Sequence, residues 1–144
     1  MALSHEAKLV CGITVLIVPT IMYGGWTLLG ILTQGAAGSA PAGFSLNETQ
    51  WALWRAGHAH AGVWTILSLV VQVLLDSARL SVGLRWLARI GAPVAAVAVS
   101  AGFFGVAFSA SFRWLLYFGA VVLLITLILT GVGLLRNLRS NTGV

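Results

Sequence analysis

The sequence is poor in charge, and poorest in acid. Only 8% of its 144 residues are Asp, Glu, Lys or Arg, and the acids number three: Glu6, Glu48 and Asp76. Soluble domains carry about 25% charged residues, so this chain lacks the polar surface that a soluble fold presents to water. Its one cysteine, Cys11, excludes an internal disulfide scaffold. Three prolines and no glycine triplet repeat exclude a collagenous or low-complexity fibre. Disorder needs low hydrophobicity and high charge, and here 59% of residues are hydrophobic. What the chain has is apolar length, with a mean hydropathy of +0.99. That composition points to one integral membrane domain spanning residues 1–144.

The formal net charge of +5 would suggest nucleic acid in a soluble protein. Here the eight basic residues are scattered, without a basic stripe or interleaved aromatics. The imbalance reflects the shortage of acids, and no nucleic-acid partner is expected.

The apolar runs predict an all-α fold, a four-helix membrane bundle. The helices are expected over about 9–34, 46–75, 86–109 and 112–135, each with the ~20 apolar residues needed to cross ~30 Å of hydrocarbon. Charges fall at helix ends, with Arg55 as the exception. Strands of strict alternation, as in a membrane β-barrel, are absent from the pattern. The first apolar run exceeds the 7–15 residues of a signal-peptide core, so it is read as a retained helix.

Lys8, Arg79, Arg85, Arg89, Arg136 and Arg139 share one side of this arrangement; Arg55 and Arg113 lie on the other. The positive-inside rule then places both termini in the cytoplasm and the chain in the cytoplasmic membrane. Trp51, Trp54, Trp86 and Trp114 fall near the expected interfaces. Ser45 and Glu48 have capping-box spacing, which predicts the start of helix two near Leu46. Helix three is rich in small residues, which allow close helix contact in lipid. Pro93 is expected in its first turns, where a missing N–H is harmless, and Pro19 is expected to kink helix one.

Helix two carries the unusual residues: Trp54-Arg55-Ala56-Gly57-His58-Ala59-His60-Ala61-Gly62. His58 lies ~18 Å from the helix start at 1.5 Å per residue, at a depth where ionisable groups are costly and mark function. At 100° per residue, Glu48, Arg55, His58, Gly62, Thr65, Gln72 and Asp76 form one polar stripe. His60 lies ~200° away, with Leu53, Gly57, Trp64 and Val71. The two histidines therefore cannot share one metal, and a zinc pair on one helix wants i, i+4 spacing. A haem needs only one axial protein ligand and an apolar slot. Either histidine meets that need. Gly57 and Gly62 would leave room for the macrocycle, and Arg55 could pair a propionate. The plainer reading is that the histidines bond between helices and Arg55 reaches outward to water. No Ser/His/Asp set, paired carboxylates or phosphate loop is present.

These residues resemble the styrene oxide isomerases, small four-helix membrane enzymes that bind haem b. Glu6-Ala7-Lys8, Gly12-Ile13, Thr20 and Gly24 match the first helix of that family. Trp54, Arg55 and Ala59-His60-Ala61-Gly62 match the second, and the similarity runs ungapped to Ala88-Arg89-Ile90-Gly91. The resemblance implies a homotrimer with haem b at subunit boundaries. It implies His60 as axial iron ligand, with His58 the alternative one shifted by two residues. It implies that ferric iron acts as a Lewis acid on a small apolar epoxide, giving an aldehyde by a 1,2-hydride shift. The family's polar Asp, Asn and Tyr on helix three are missing: Val97, Ala101 and Gly105 stand there, or Ala96, Ser100 and Phe104 one residue earlier. Ser100 and Tyr117 are the candidates to replace them. Two other classes fit the same residues: a non-enzymatic membrane subunit of a larger complex, and a haem electron-transfer or sensor protein.

Overall fold

The computed structural model describes residues 2–33 and 46–141. They form four helices, α1 (His5–Leu32), α2 (Glu48–Asp76), α3 (Val82–Val106) and α4 (Arg113–Asn141), with a 3-10 turn at Ala110–Phe112 before α4. No strand occurs among the described residues. Each α-helix contains a stretch long and apolar enough to cross a membrane, the mark of a multi-pass membrane protein. Large apolar side chains stay on the outside, Leu16 at 77% exposure and Trp114 at 67% among them. Lipid, rather than water, is the solvent that such a surface tolerates.

The centre of the bundle is α3. Ten of its residues are buried, and eight of those are Ala, Gly or Ser. Small side chains let backbones approach, which replaces the hydrophobic effect as a source of helix contact in lipid. A methyl group on Gly102 would stand 2.9 Å from the backbone nitrogen of Leu116, and one on Gly119 2.9 Å from that of Val99. Thus α4 lies along α3 on glycine contacts. On its other side α3 packs against α2, while α1 rests on α2 and barely reaches α3.

Three expectations are corrected here. First, α3 starts at Val82, a turn earlier than the apolar count suggests. Pro93 is therefore its twelfth residue and sits mid-helix. Its ring nitrogen cannot donate to the carbonyl of Arg89, four residues back. The Gln72 side-chain amide of α2 donates to that carbonyl instead, at 3.0 Å. Second, Arg89 is not a helix-end charge: it is 1% exposed and pairs with Asp76. Its guanidinium also donates to the Gln72 side-chain oxygen at 3.2 Å and to Ser4 Oγ at 3.1 Å. Third, the capping box of α2 is Asn47 with Gln50, at the spacing expected for Ser45 with Glu48 but two residues on. Ser45 lies outside the described residues. Gln50 wins because its amide does two jobs: Oε1 accepts from the Asn47 backbone at 3.0 Å and Nε2 donates to the Ala107 carbonyl at 2.7 Å. A glutamate has no N–H for the second. The helix α1 runs through Pro19 to Leu32.

Asp76 closes the network at the end of the bundle that carries both termini. It accepts from Ser4 N at 2.8 Å and Ser4 Oγ at 2.7 Å, tying the N-cap of α1 to the end of α2. Burial pushes the Asp76 carboxyl up, but the Ser4 N–H, the Ser4 hydroxyl and Arg89 outweigh it and hold the group below the ordinary carboxylate range. A depressed carboxylate stabilises the fold above its unfolded pKa. This contribution is lost as pH falls through the lower folded value.

Gln72→Leu should destabilise the protein by about 3 kcal/mol, because it orphans a buried carbonyl and part of a buried guanidinium. Adding Pro93→Ala restores the backbone donor to Arg89. The stabilisation from Pro93→Ala should therefore be about 1 kcal/mol greater in the Gln72→Leu background than in wild type. Thermal unfolding of the four proteins in detergent measures this coupling, and simple additivity would contradict the account.

Candidate functional site

The helical periodicity of α2 sends its two deep histidines to opposite sides, and the structure gives each a different neighbour. His58 faces α1. A methyl group on Gly25 would stand 2.8 Å from both Cε1 and Nε2 of the His58 ring. The outer edge of this imidazole is thus covered by the α1 backbone, and a ligand could reach it only by displacing α1.

His60 faces α3 and α4. Its Nδ1 lies 2.7 Å from the carbonyl oxygen of Ala56, one turn earlier. A carbonyl can only accept, so Nδ1 carries a proton, and in the neutral ring Nε2 keeps its lone pair. Histidines that ligate metals are commonly oriented by such a bond from the other ring nitrogen. The ring leans on Phe103 (centroids 4.6 Å apart, planes at 31°) and is 5.7 Å from Trp64.

His60 lines a groove of about 290 Å³ between α2 and α4, with α3 as its floor. Trp64 belongs to the α2 wall, Val99 and Phe103 to the floor, and Leu116, Tyr117, Ala120 and Leu123 to the α4 wall. Its polar side-chain groups are the imidazole, the Trp64 indole N–H and the Tyr117 hydroxyl. The indole nitrogen is buried without a hydrogen-bond partner. Tyr117 is 56% exposed and stacks edge-on with Trp114 at 5.7 Å.

The structure brings His60 and Tyr117 to one groove but leaves the other candidate residues elsewhere. Ser100 lines a separate cavity of about 230 Å³ with Ile17 and Ile21 of α1 and Ala61 and Thr65 of α2. Its hydroxyl is already given to the Ala96 carbonyl at 2.7 Å. Gly57 packs against α3: a methyl group there would meet Phe104 at 3.1 Å and Phe103 at 3.2 Å. Gly62 has open space beside its α-carbon, but it does not line the His60 groove. Arg55 is exposed. Periodicity puts Trp64 on the His60 face of α2, whereas the α4 wall is set by where α4 docks on α3.

Could a haem be held here? The donor chemistry fits: one imidazole with a fixed tautomer, an available Nε2, and aromatic and aliphatic walls. His60 is the one His, Cys, Asp or Glu in the groove lining, so it is the ligand that this groove offers an iron. The size fits in part. A cavity of about 290 Å³ is at the lower edge of the ~300–1,000 Å³ that small-molecule pockets span. One chain therefore offers a ligand and one wall, and a macrocycle needs further cover.

Compared with known proteins, the chain matches no protein-family model, no curated protein and no solved structure.

Gly25→Ala should lower stability by about 1–3 kcal/mol, because a methyl group enters space that His58 fills. Gly62→Ala should leave stability within about 0.5 kcal/mol of wild type, since its added methyl group meets nothing. Thermal unfolding of both variants checks which side of α2 is packed.

Proposed function

We propose that this chain is a haem-dependent membrane isomerase of the styrene oxide isomerase type, with His60 as axial ligand. The observation that carries the reading is the setting of His60. Its Nδ1–H is bound to the Ala56 carbonyl, and its Nε2 lone pair is left available in an apolar groove. His58, with its outer edge against Gly25, is the weaker choice. The resemblance noted above points to the same residue. The further parts of the reading are a cytoplasmic-membrane location with both termini inside, a homotrimer, and a small aryl or alkyl epoxide as substrate. The basic residues support the orientation. The partial enclosure of the groove supports a site completed by a second copy.

When bound, ferric haem would supply Lewis acidity toward an epoxide oxygen. The rest falls to the chain. The Ala56 carbonyl fixes the His60 tautomer and ring plane. Trp64, Phe103, Leu116 and Leu123 make an apolar wall, against which an aryl or alkyl group can pack. That wall also excludes water, which would otherwise trap an opening epoxide as a diol. The Tyr117 hydroxyl holds a proton at the α4 wall, where it can donate to a substrate oxygen. An epoxide and its aldehyde isomer have the same atoms and oxidation level, so no external redox partner is needed.

One observation favours a different reading. Phe103 packs directly on the His60 ring, as it would around a purely structural histidine in a non-enzymatic membrane subunit. Electron transfer through two strong axial ligands from one chain is disfavoured, because His58 and His60 face different helices.

The test is the absorption spectrum of detergent-purified protein made with haem precursor supplied. A Soret band should be present in wild type and His58→Ala and absent in His60→Ala. Tyr117→Phe should keep the band and lose roughly 10²-fold in conversion of an aryl epoxide to its aldehyde. Well-folded wild type without a Soret band would overturn the haem reading and leave the structural-subunit reading standing.

A further inference from the structure

At the end of the bundle that carries both termini, a cleft of about 480 Å³ is lined by Arg79, Leu80, Ser81 and Arg136. Two separate elements are fastened together to make it. The Arg79 backbone N–H donates to the Gly133 carbonyl at 2.8 Å, and Asn137 Nδ2 donates to the Ser77 carbonyl at 2.8 Å. Gly133 permits the approach: a methyl group there would stand 2.8 Å from Leu80 Cγ. The α2–α3 connection is thereby held against α4, and Arg136, three residues beyond Gly133, is brought beside Arg79.

The charges of this cleft are unbalanced. The one ion pair among the described residues is Arg89 with Asp76, so Asp76, three residues before Arg79 in the chain, is already paired elsewhere. Outside the cleft lining, Arg85 reaches back to the carbonyl of Leu80, a lining residue, at 3.4 Å and leaves its buried Nε without a partner. Ser81, the N-cap of α3, is part of the cleft lining. The first turn contains no acid and Ser81 makes no side-chain cap to it, so neither satisfies the N–H groups that a helix start leaves over. Beyond the cleft the surface turns apolar, with Val82 73% and Leu135 and Leu138 each 64% exposed.

We infer that this cleft is a binding site for a phosphate group, as carried by an anionic membrane lipid. The guanidinium groups supply bidentate donors, and the helix start supplies N–H groups and a favourable dipole. The exposed leucines and valine supply a surface for acyl chains. Basic pockets at the membrane edge recognise lipid head groups in this way. The inference is independent of what His60 binds.

The test uses the full-length protein in detergent, titrated with phosphatidylglycerol and followed by native mass spectrometry. Wild type should bind this lipid, and the double variant Arg79→Gln, Arg136→Gln should bind it roughly 30-fold more weakly. Arg113→Gln, a charge removed from the opposite end, should match wild type. Ser81→Asp separates binding from folding. The carboxylate should improve the α3 cap and raise the unfolding temperature while weakening lipid binding. Inorganic phosphate is then added as competitor. If it displaces the lipid, the site reads phosphate alone and a soluble phosphate ester also qualifies as its ligand. If it does not, the acyl chains are required and the ligand is lipid. Equal lipid affinity in wild type and the double variant, or an equal loss in Arg113→Gln, would overturn the proposal.

Discussion

The arrangement of the bundle depends on one missing hydrogen-bond donor. Pro93 leaves the carbonyl of the buried Arg89 without its helical partner. Gln72 of α2 supplies the donor, and its side-chain oxygen takes up the Arg89 guanidinium in return. A buried charge is tolerable only when paired and hydrogen-bonded, and Asp76 and Ser4 complete that requirement. The result is a polar clamp joining α1, α2 and α3 at one end. It sets the register of the antiparallel pair α2 and α3. His60 lies twelve residues before Gln72 and Phe103 fourteen residues after Arg89. At 1.5 Å per residue both are ~18–21 Å from the clamp, and there the two rings meet at 4.6 Å. The clamp and the candidate site are two ends of one lever.

The same register explains why two histidines in one helix have different chemistry. A separation of two residues turns His60 away from α1. His58 meets a glycine on α1 and is closed in by backbone. His60 meets the wider space between α2 and α4, because α3 stands between those helices and keeps them apart. Its Ala56 bond adds what a bare groove lacks, a defined tautomer with a basic nitrogen left over. Small residues support both outcomes, but as packing devices. Gly57 and Gly25 bring α2 close to α3 and α1, and Gly102 and Gly119 bring α4 close to α3.

Much of this architecture is legible in the sequence. Four apolar runs of membrane length, set apart by charges and turn residues, correspond to the four helices. The 100° periodicity separates His58 from His60 and sends Gln72 and Asp76 to the same stripe, whose Gln72–Asp76 end meets Arg89. The illegible parts have physical causes. An arginine near the start of an apolar run reads as a helix-end charge, and only the early start of α3 at Val82 puts Arg89 and Pro93 inside the bundle. The choice of Asn47 over Ser45 as cap depends on the Ala107 carbonyl, fifty-seven residues downstream of Gln50. Ser100 and Tyr117 are both polar residues on apolar helices. Which cavity each lines depends on where α1 and α4 dock, and no single-helix pattern contains that.

The central claim is that His60 is held with its proton on Nδ1 and its lone pair on Nε2. Nitrogen NMR of ¹⁵N-histidine-labelled protein, made without added haem precursor in the His5→Gln, His58→Gln background, observes this ring alone. The account predicts a proton on Nδ1 and a bare Nε2, with the pattern unchanged while the Ala56 carbonyl holds the ring. A proton found on Nε2 with Nδ1 bare would contradict it, because the nitrogen available to the groove would then have no lone pair to offer.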